Sequence, residues 1–364
     1  MRYLTEFRDP EIARKLVSHI HSLAEKLPII KIMEVCGTHT MAIHRYGLRQ
    51  TIPSNIQLLS GPGCPVCVTP NDYIDKAIAY ARKSDVIITT FGDMIRVPGS
   101  TTSLEKIQAE SGDVRIVYST LDALSIAKSN PDKKVIFLGV GFETTAPTIA
   151  ASIIKAKEDN IHNYLVLCAH KTIPVALKAL AVNPLLQLDG FLCPAHVSAI
   201  IGLHPYEFIA NDYHKGCVVT GFEPLDILQG IILLLKQKLE QSFKVENEYY
   251  RVVKNDGNRK VLALLDTVFE PVDTVWRGIG MIPKSGLRIR KEFQKFDSEI
   301  QYPILPEPTK EPDGCLCGEV LQGIITPENC PLFGKVCTPE TPVGACMVSS
   351  EGTCAAFYKY QSLT

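Results

Sequence analysis

Residues 135–170, VIFLGVGFETTAPTIAASIIKAKEDNIHNYLVLCAH, decide the fold. Val135–Leu138 and Tyr164–Leu167 are short, continuous apolar runs, and Thr145–Glu158 between them has the spacing of an amphipathic helix. A strand that is apolar throughout is buried on both faces, and two of them joined through a helix form a parallel βαβ unit. Outward from this unit the pattern repeats. Strand-like runs fall at Ile29–Val35, Ile56–Ser60, Asp85–Thr90, Val114–Tyr118, Gly190–Leu192 and Cys217–Thr220, and helices are predicted over Asn71–Lys83, Leu121–Ser129 and Pro174–Ala181. Such alternation belongs to α/β proteins whose parallel sheets are covered on both sides.

Four strands precede residue 130 and four lie between there and about 225. The expected architecture is therefore two similar parallel-sheet α/β domains facing a cleft, 26–130 and 131–225, hinged at Asn130-Pro131-Asp132. Residues 1–25 are expected to form an N-terminal helix packing on the C-terminal region. Residues 226–364 are expected to hold a helix at Asp226–Ser242, more helix to about Glu270, and then a mostly helical or irregular cysteine-rich domain. Pro303, Pro306, Pro308 and Pro312 mark the linker into that last part.

The chain of 364 residues is 46% hydrophobic, enough for a sizeable core, and its net charge is -1. That balance gives no basic field to recruit nucleic acid. No apolar run has the length of a membrane span, and the N-terminal residues lack the apolar stretch of a secretory signal. The expected location is cytoplasmic. Twelve cysteines in a reducing compartment point to metal binding or thiol chemistry rather than to a disulfide framework. Six of them lie between Cys315 and Cys354.

Ligands of parallel sheets bind beyond the carboxyl ends of the strands. Here those ends run into Cys36-Gly-Thr-His-Thr40, Gly61-Pro-Gly-Cys-Pro-Val-Cys67, Thr90-Phe-Gly-Asp93, Gly139-Val-Gly-Phe-Glu-Thr-Thr145, Cys168-Ala-His-Lys171, Cys193-Pro-Ala-His-Val-Ser198 and Gly221-Phe-Glu-Pro224. Turns after strands are generally polar and glycine-rich, so each motif alone is weak. All of them on one edge indicate a shared cleft. Cys64 and Cys67, at a helix start that favours thiolate, can close a disulfide or chelate a soft metal; the alternative is a buried structural pair. Cys36 with nearby His39 suits a thiolate ligand beside a proton carrier, or a small packed side chain. Glu143 is a candidate site carboxylate in a turn whose threonines equally suit a helix cap. His196 reads as either a cleft histidine or a satisfied turn residue. Cys168, Cys193 and Cys217 sit in apolar contexts and read as packing residues.

The tail holds Cys315, Cys317, Cys330, Cys337, Cys346 and Cys354, irregularly spaced and without histidine. Four thiolates from such a set suit an iron–sulfur cluster better than the paired knuckles of structural zinc, although an all-thiolate site also accepts zinc.

Taken in order, Cys36-Gly-Thr-His39, the 61–67 and 90–93 motifs, Gly141-Phe-Glu-Thr-Thr145, Pro194-Ala-His-Val-Ser198, Cys330-Pro-Leu-Phe-Gly334 and Gly344–Cys354 resemble the HypD family over nearly the whole chain. The resemblance implies maturation of nickel–iron hydrogenases. It implies the partners HypC, a small scaffold protein, and HypE, the cyanide donor; the chain itself is expected to be a monomer that forms hetero-complexes. Together they would build an iron carrying two cyanides and one carbon monoxide. It further implies Cys36 as the iron-site cysteine, Cys64 and Cys67 as a redox-active or iron-site pair, and a [4Fe–4S] cluster on Cys317, Cys330, Cys337 and Cys354, with Cys346 and Cys315 as substitutes. Electrons would pass through Cys64 and Cys67 from that cluster. The competing function is a cluster-dependent thiol–disulfide oxidoreductase, which leaves Cys36 and His39 idle.

Overall fold

The computed structural model describes residues 5–360. Its strands are β1 (Ile30–Glu34), β2 (Ile56–Ser60), β3 (Val86–Thr90), β4 (Val114–Ile116), β5 (Lys134–Gly139), β6 (Tyr164–Cys168), β7 (Gly190–Pro194), β8 (Gly216–Thr220), β9 (Val245–Asn247), β10 (Phe269–Trp276) and β11 (Gly280–Ile289). The fold is α/β. One sheet has the order β2-β1-β7-β8-β9 and the other β4-β3-β5-β6, and every pair within them is parallel.

The predicted strands sit within a residue or two of the observed ones, but their partners differ from expectation. The two sheets are not consecutive halves divided near Asn130, a point that falls between β4 and β5 of one sheet. The second sheet is contiguous. The first is built from 30–60 and 190–247, with the second inserted between them. Hydrophobic runs specify that a strand is buried on both faces and leave open which buried strand lies beside it. The choice is made by register: Ile32, Met33 and Glu34 pair with Gly190, Phe191 and Leu192. Lys31 N donates to Asp189 Oδ2 at 2.8 Å and secures the same junction.

Three apolar clusters follow from this arrangement. One packs the helices Pro10–Ala24 and Pro224–Glu240 on the outer face of the first sheet, through Ile20, Ile32, Val218, Ile231 and Leu235. The N-terminal helix begins at Asp9, whose carboxylate accepts from Glu11 N and Ile12 N, with Pro10 in the first turn. A second cluster fills the outer face of the second sheet with Phe137, Ile149 and Ile153. The third runs continuously from Met33 and Val35 through Ile74 and Ile78 to Ile88 and Leu138, and on to Val320 and Met347 in the tail. The two sheets and the tail thus share one core. Among the described residues no helix is long and apolar enough to cross a membrane.

The segment expected to be helical up to about Glu270 is helix only at Arg259–Val268. It then turns into an antiparallel hairpin of β10 and β11. Along β10, between the buried Phe269 and Trp276, half-buried and exposed residues alternate, the period of a strand with one covered face. The hairpin's anchor is Trp276. Its ring is fully buried and stacks on Phe142 at 5.9 Å, and its Nε1–H donates to Ser285 Oγ at 2.8 Å. Lys171 Nζ donates to Val275 O at 2.8 Å. The hairpin therefore clamps the loops that leave β5 and β6. Trp276→Ala is expected to cost about 3–5 kcal/mol, the usual penalty for emptying a buried aromatic site. Urea unfolding followed by circular dichroism is the right measurement, because the substitution removes the chain's one tryptophan fluorophore.

Candidate functional site

Cys36 caps the helix Gly37–Arg45, directly beyond the carboxyl end of β1. The turn after β2 lies against it: Gly61 N donates to Glu34 O at 2.8 Å, and Gly37 N donates to Gly63 O at 3.1 Å. A Cβ on Gly63 would stand 2.3 Å from Cys36 N, so glycine is what lets the two turns touch. The next residue, Cys64, is joined to Cys67 as a disulfide across the short turn Pro65–Val68, and Cys67 N donates to Cys64 Sγ at 3.2 Å. The structure thus brings Cys36 beside the Cys64–Cys67 loop.

His39 is wholly buried one turn into the same helix. Its Nε2 faces the carbonyl of Gly221 at 3.0 Å and that of Thr220 at 3.3 Å. Thr220 Oγ1 stands 2.9 Å from the same nitrogen; two carbonyls, which only accept, assign the proton to Nε2 with that hydroxyl as a further acceptor, and leave Nδ1 as the unpartnered, bare nitrogen. Burial pulls the His39 pKa down to about 4, keeping the ring neutral. The exposed His196 joins it through Phe222, whose ring lies 4.8 Å from His39 and 4.2 Å from His196. The Cys36 thiol is pushed up to about 12, first by burial and then by the Glu351 carboxylate. It is a neutral thiol until a metal or another cation compensates its charge.

Glu143 makes its contacts elsewhere. Its Oε1 accepts from Ile173 N at 2.9 Å, while Oε2 is buried without a partner. Burial raises its pKa to about 7. Cys168 packs against the core of the second sheet, and its Sγ lies 3.1 Å from His170 Nδ1.

The tail covers both sheet ends. Thr38 Oγ1 donates to Glu351 Oε1 at 2.9 Å at the edge of the first sheet, and Ser349 Oγ donates to Asp93 Oδ2 at 2.9 Å at the edge of the second. Between these anchors all six tail cysteines line one tight apolar cavity with Leu332, Phe333 and Met347. Cys317 and Cys346 have their sulfurs 2.7 Å apart. Cys317 is held well below the ordinary thiol range by hydrogen bonds from Cys315 and Cys346, with a further contribution from the Arg277 guanidinium. Its two donors are pushed the other way. Among the described residues no three His, Cys, Asp or Glu side chains stand together in ion-holding positions. The nest also meets the disulfide loop: Cys67 Sγ lies 3.8 Å from the carbonyl of Ala345, the residue before Cys346.

Three members of this neighbourhood were not singled out from the sequence. Glu351 lies in the tail between a serine and a glycine. Arg277 is a single basic residue in a hairpin turn. Glu34 ends a strand and is fully buried, with Oε1 accepting from Thr40 Oγ1 at 2.7 Å and Oε2 unpartnered. A charge inside an apolar run at the carboxyl end of β1 was the one hint of its role.

The family described as "HypD: Hydrogenase formation hypA family" matches residues 11–361. The chain is 46% identical to the hydrogenase maturation factor HypD of Rhodobacter capsulatus, over 99% of this chain and 98% of that protein. It is 45% identical to HypD of Escherichia coli (strain K12) at 99% and 98% coverage, and 44% identical to HypD of Cupriavidus necator at 99% and 97%. The chain belongs to the HypD family of hydrogenase maturation factors.

Glu34 yields a test. Burial raises its pKa from 4.5 to about 8 in the folded state. The folded chain then holds a proton that the unfolded chain releases, so this part of the stability is complete below pH 4.5 and is lost as pH rises toward and through 8. Glu34→Gln is expected to flatten the decline in unfolding free energy between pH 5 and 8, measured by urea titration at several pH values. An unchanged slope means that Glu34 ionises freely in the folded chain.

Proposed function

We propose that the chain is the scaffold on which, with the small partner HypC and with cyanide supplied by HypE, the Fe(CN)2CO unit of nickel–iron hydrogenase is assembled. The iron is cargo, held at the turn after β1 by Cys36 and served by Cys64 and Cys67. The observation that carries this reading is the position of the Cys64–Cys67 loop. Gly63 hydrogen-bonds to the Cys36 turn on one side, and Cys67 Sγ reaches the backbone of the thiol nest on the other. A two-electron thiol pair thus stands between an iron-binding thiol and a second sulfur site.

The residues contribute in distinct ways. Low-spin iron with cyanide and carbon monoxide is soft and prefers thiolate, and Cys36 sits where a helix start favours that form. Iron in turn offsets the burial that keeps Cys36 protonated. His39 presents a bare Nδ1 next door and takes up a proton only below its depressed pKa, so near neutral pH it acts as an acceptor. Opening the Cys64–Cys67 disulfide consumes two electrons and two protons, and closing it returns them.

The tail donor set fits a [4Fe–4S] cluster, because six thiols converge on one apolar cavity and the cluster needs four thiolates. Cys317, Cys330, Cys337 and Cys354 are the proposed ligands, leaving Cys346 and Cys315 as the hydrogen-bonding pair beside Cys317. When bound, the cluster supplies single electrons at low potential. The chain's own part is to hold the disulfide loop against the Ala345 turn and to exclude water with Leu332, Phe333 and Met347.

Anaerobically purified chain is expected to hold about four iron and four sulfide. Cys64→Ser is expected to keep that content while abolishing hydrogenase maturation in cells, and Cys36→Ala to abolish maturation with the disulfide intact. Normal maturation with Cys64→Ser removes the electron role. Zinc without sulfide removes the cluster. Turnover of a disulfide substrate by the isolated chain favours the oxidoreductase reading instead.

A further inference from the structure

The peptide between Thr220 and Gly221 stands between two side chains. On one side its carbonyl, Thr220 O, accepts from His39 Nε2 at 3.3 Å, and the following carbonyl, Gly221 O, accepts at 3.0 Å. On the other side its N–H, that of Gly221, donates to Glu248 Oε2 at 3.2 Å. A carboxylate, a peptide and an imidazole thus form one chain of hydrogen bonds, in which each bond polarises the next. Glu248 is only 7% exposed. It directly follows β9, and its own N donates to Val219 O at 2.9 Å, so the strand ladder fixes the point from which its side chain turns back onto Gly221.

The surroundings hold the carboxylate there. The Arg251 guanidinium lies 2.5 Å from Asp226 Oδ2 and 3.9 Å from Glu248 Oε1. It also lies over the rings of Phe7, at 3.9 Å, and Tyr249, at 4.1 Å. A Cβ on Gly221 would stand 2.0 Å from Asp226 Oδ2 and 2.6 Å from Tyr249 Cδ2, so only glycine admits this approach. Burying two carboxylates with a guanidinium stabilises a fold no better, as a rule, than apolar side chains of similar volume. What this arrangement does secure is the aim of one peptide.

That aim matters because one partner of His39 is ambiguous. Thr220 Oγ1, 2.9 Å from Nε2, can donate as well as accept. If it donated, the ring proton would move to Nδ1, and the nitrogen left open at the site would cease to be an acceptor. The two carbonyls forbid this while they remain aimed at Nε2, since the hydrogen bond at one ring nitrogen decides the state of the other.

We propose that Glu248 is a positioning residue for His39: through the Thr220–Gly221 peptide it keeps the carbonyls on Nε2 and so keeps Nδ1 the bare nitrogen. The use of that nitrogen in iron assembly rests on the function proposed above. The state of the ring does not.

NMR of the full chain carrying isotope-labelled histidine tests it, because the shifts of the two ring nitrogens report which one holds the proton. His39→Gln identifies the His39 signals by their loss. Wild type is expected to show a protonated Nε2 and a bare Nδ1. Glu248→Ala is expected to lower the ratio of that form to the other about fivefold, the effect of one hydrogen bond of ordinary net strength. Glu248→Gln, whose amide oxygen still accepts from Gly221 N, is expected to restore it. Glu248→Asp, which keeps the charge but withdraws it by one methylene, replaces the alanine variant if that one does not fold, with a shift in the same direction. A proton on Nδ1 in wild type, or equal ratios in wild type and the alanine or aspartate variant, overturns the proposal. Normal hydrogenase maturation in cells by His39→Gln overturns the histidine's part in the iron-site reading, and the ring signals still decide Glu248.

Discussion

Three backbone pairs, from Ile32 opposite Gly190 to Glu34 opposite Leu192, decide where everything else in the molecule lies. They bring the turn after β1, with Cys36 and His39, next to the turn after β7, with His196. They also require that all the chain between β2 and β7 be looped out as a second sheet. With both sheets parallel, their carboxyl ends are where polar turns collect, and the tail docks across them through Glu351 and Ser349. The sulfur sites are neighbours because of strand pairing, not because of their distance in sequence.

This constraint explains what could be read from the residues and what could not. A strand buried on both faces leaves a continuous apolar run, and those runs located β1 to β8 closely. Partner choice leaves no such mark, because Ile32 would be equally buried beside any apolar strand. The inserted sheet was therefore missed, although its strands were found. The hairpin was missed for a different reason. Arg259–Val268 has strong helical spacing, and nothing in Phe269-Glu-Pro-Val272 announces a change of period except the proline. At the site, the cysteines and His39 were legible because their chemistry is unusual in turns. Arg277 and Glu351 were not, since a lone charged residue has an ordinary place on any surface and only tertiary packing buries it.

Among the described residues twelve buried polar side-chain atoms lack a partner, and four of them belong to this neighbourhood. Glu34 Oε2, His39 Nδ1, Glu143 Oε2 and Arg277 Nη2 all lie at or near the strand ends and the tail. Most buried polar groups in folded proteins are hydrogen-bonded, so each of these costs stability. The shared core running from Met33 to Met347 offsets that cost by holding the strand ends and the tail in one apolar mass.

The nesting of one sheet inside the other also sets an order of events during synthesis. Residues 86–168 form a sheet with no outside strand, so its strand pairing is complete soon after β6 leaves the ribosome, although the hairpin that covers it comes later. β1 and β2, made earlier, must wait for β7 before gaining their central partner, and such long-range closures are slow. The cysteine tail emerges last. Until it does, Cys36 and the Cys64–Cys67 loop lack the cover of Glu351 and the Ala345 turn. The place proposed to receive iron is thus open in the newborn chain and sealed only when the segment proposed to supply its electrons has arrived.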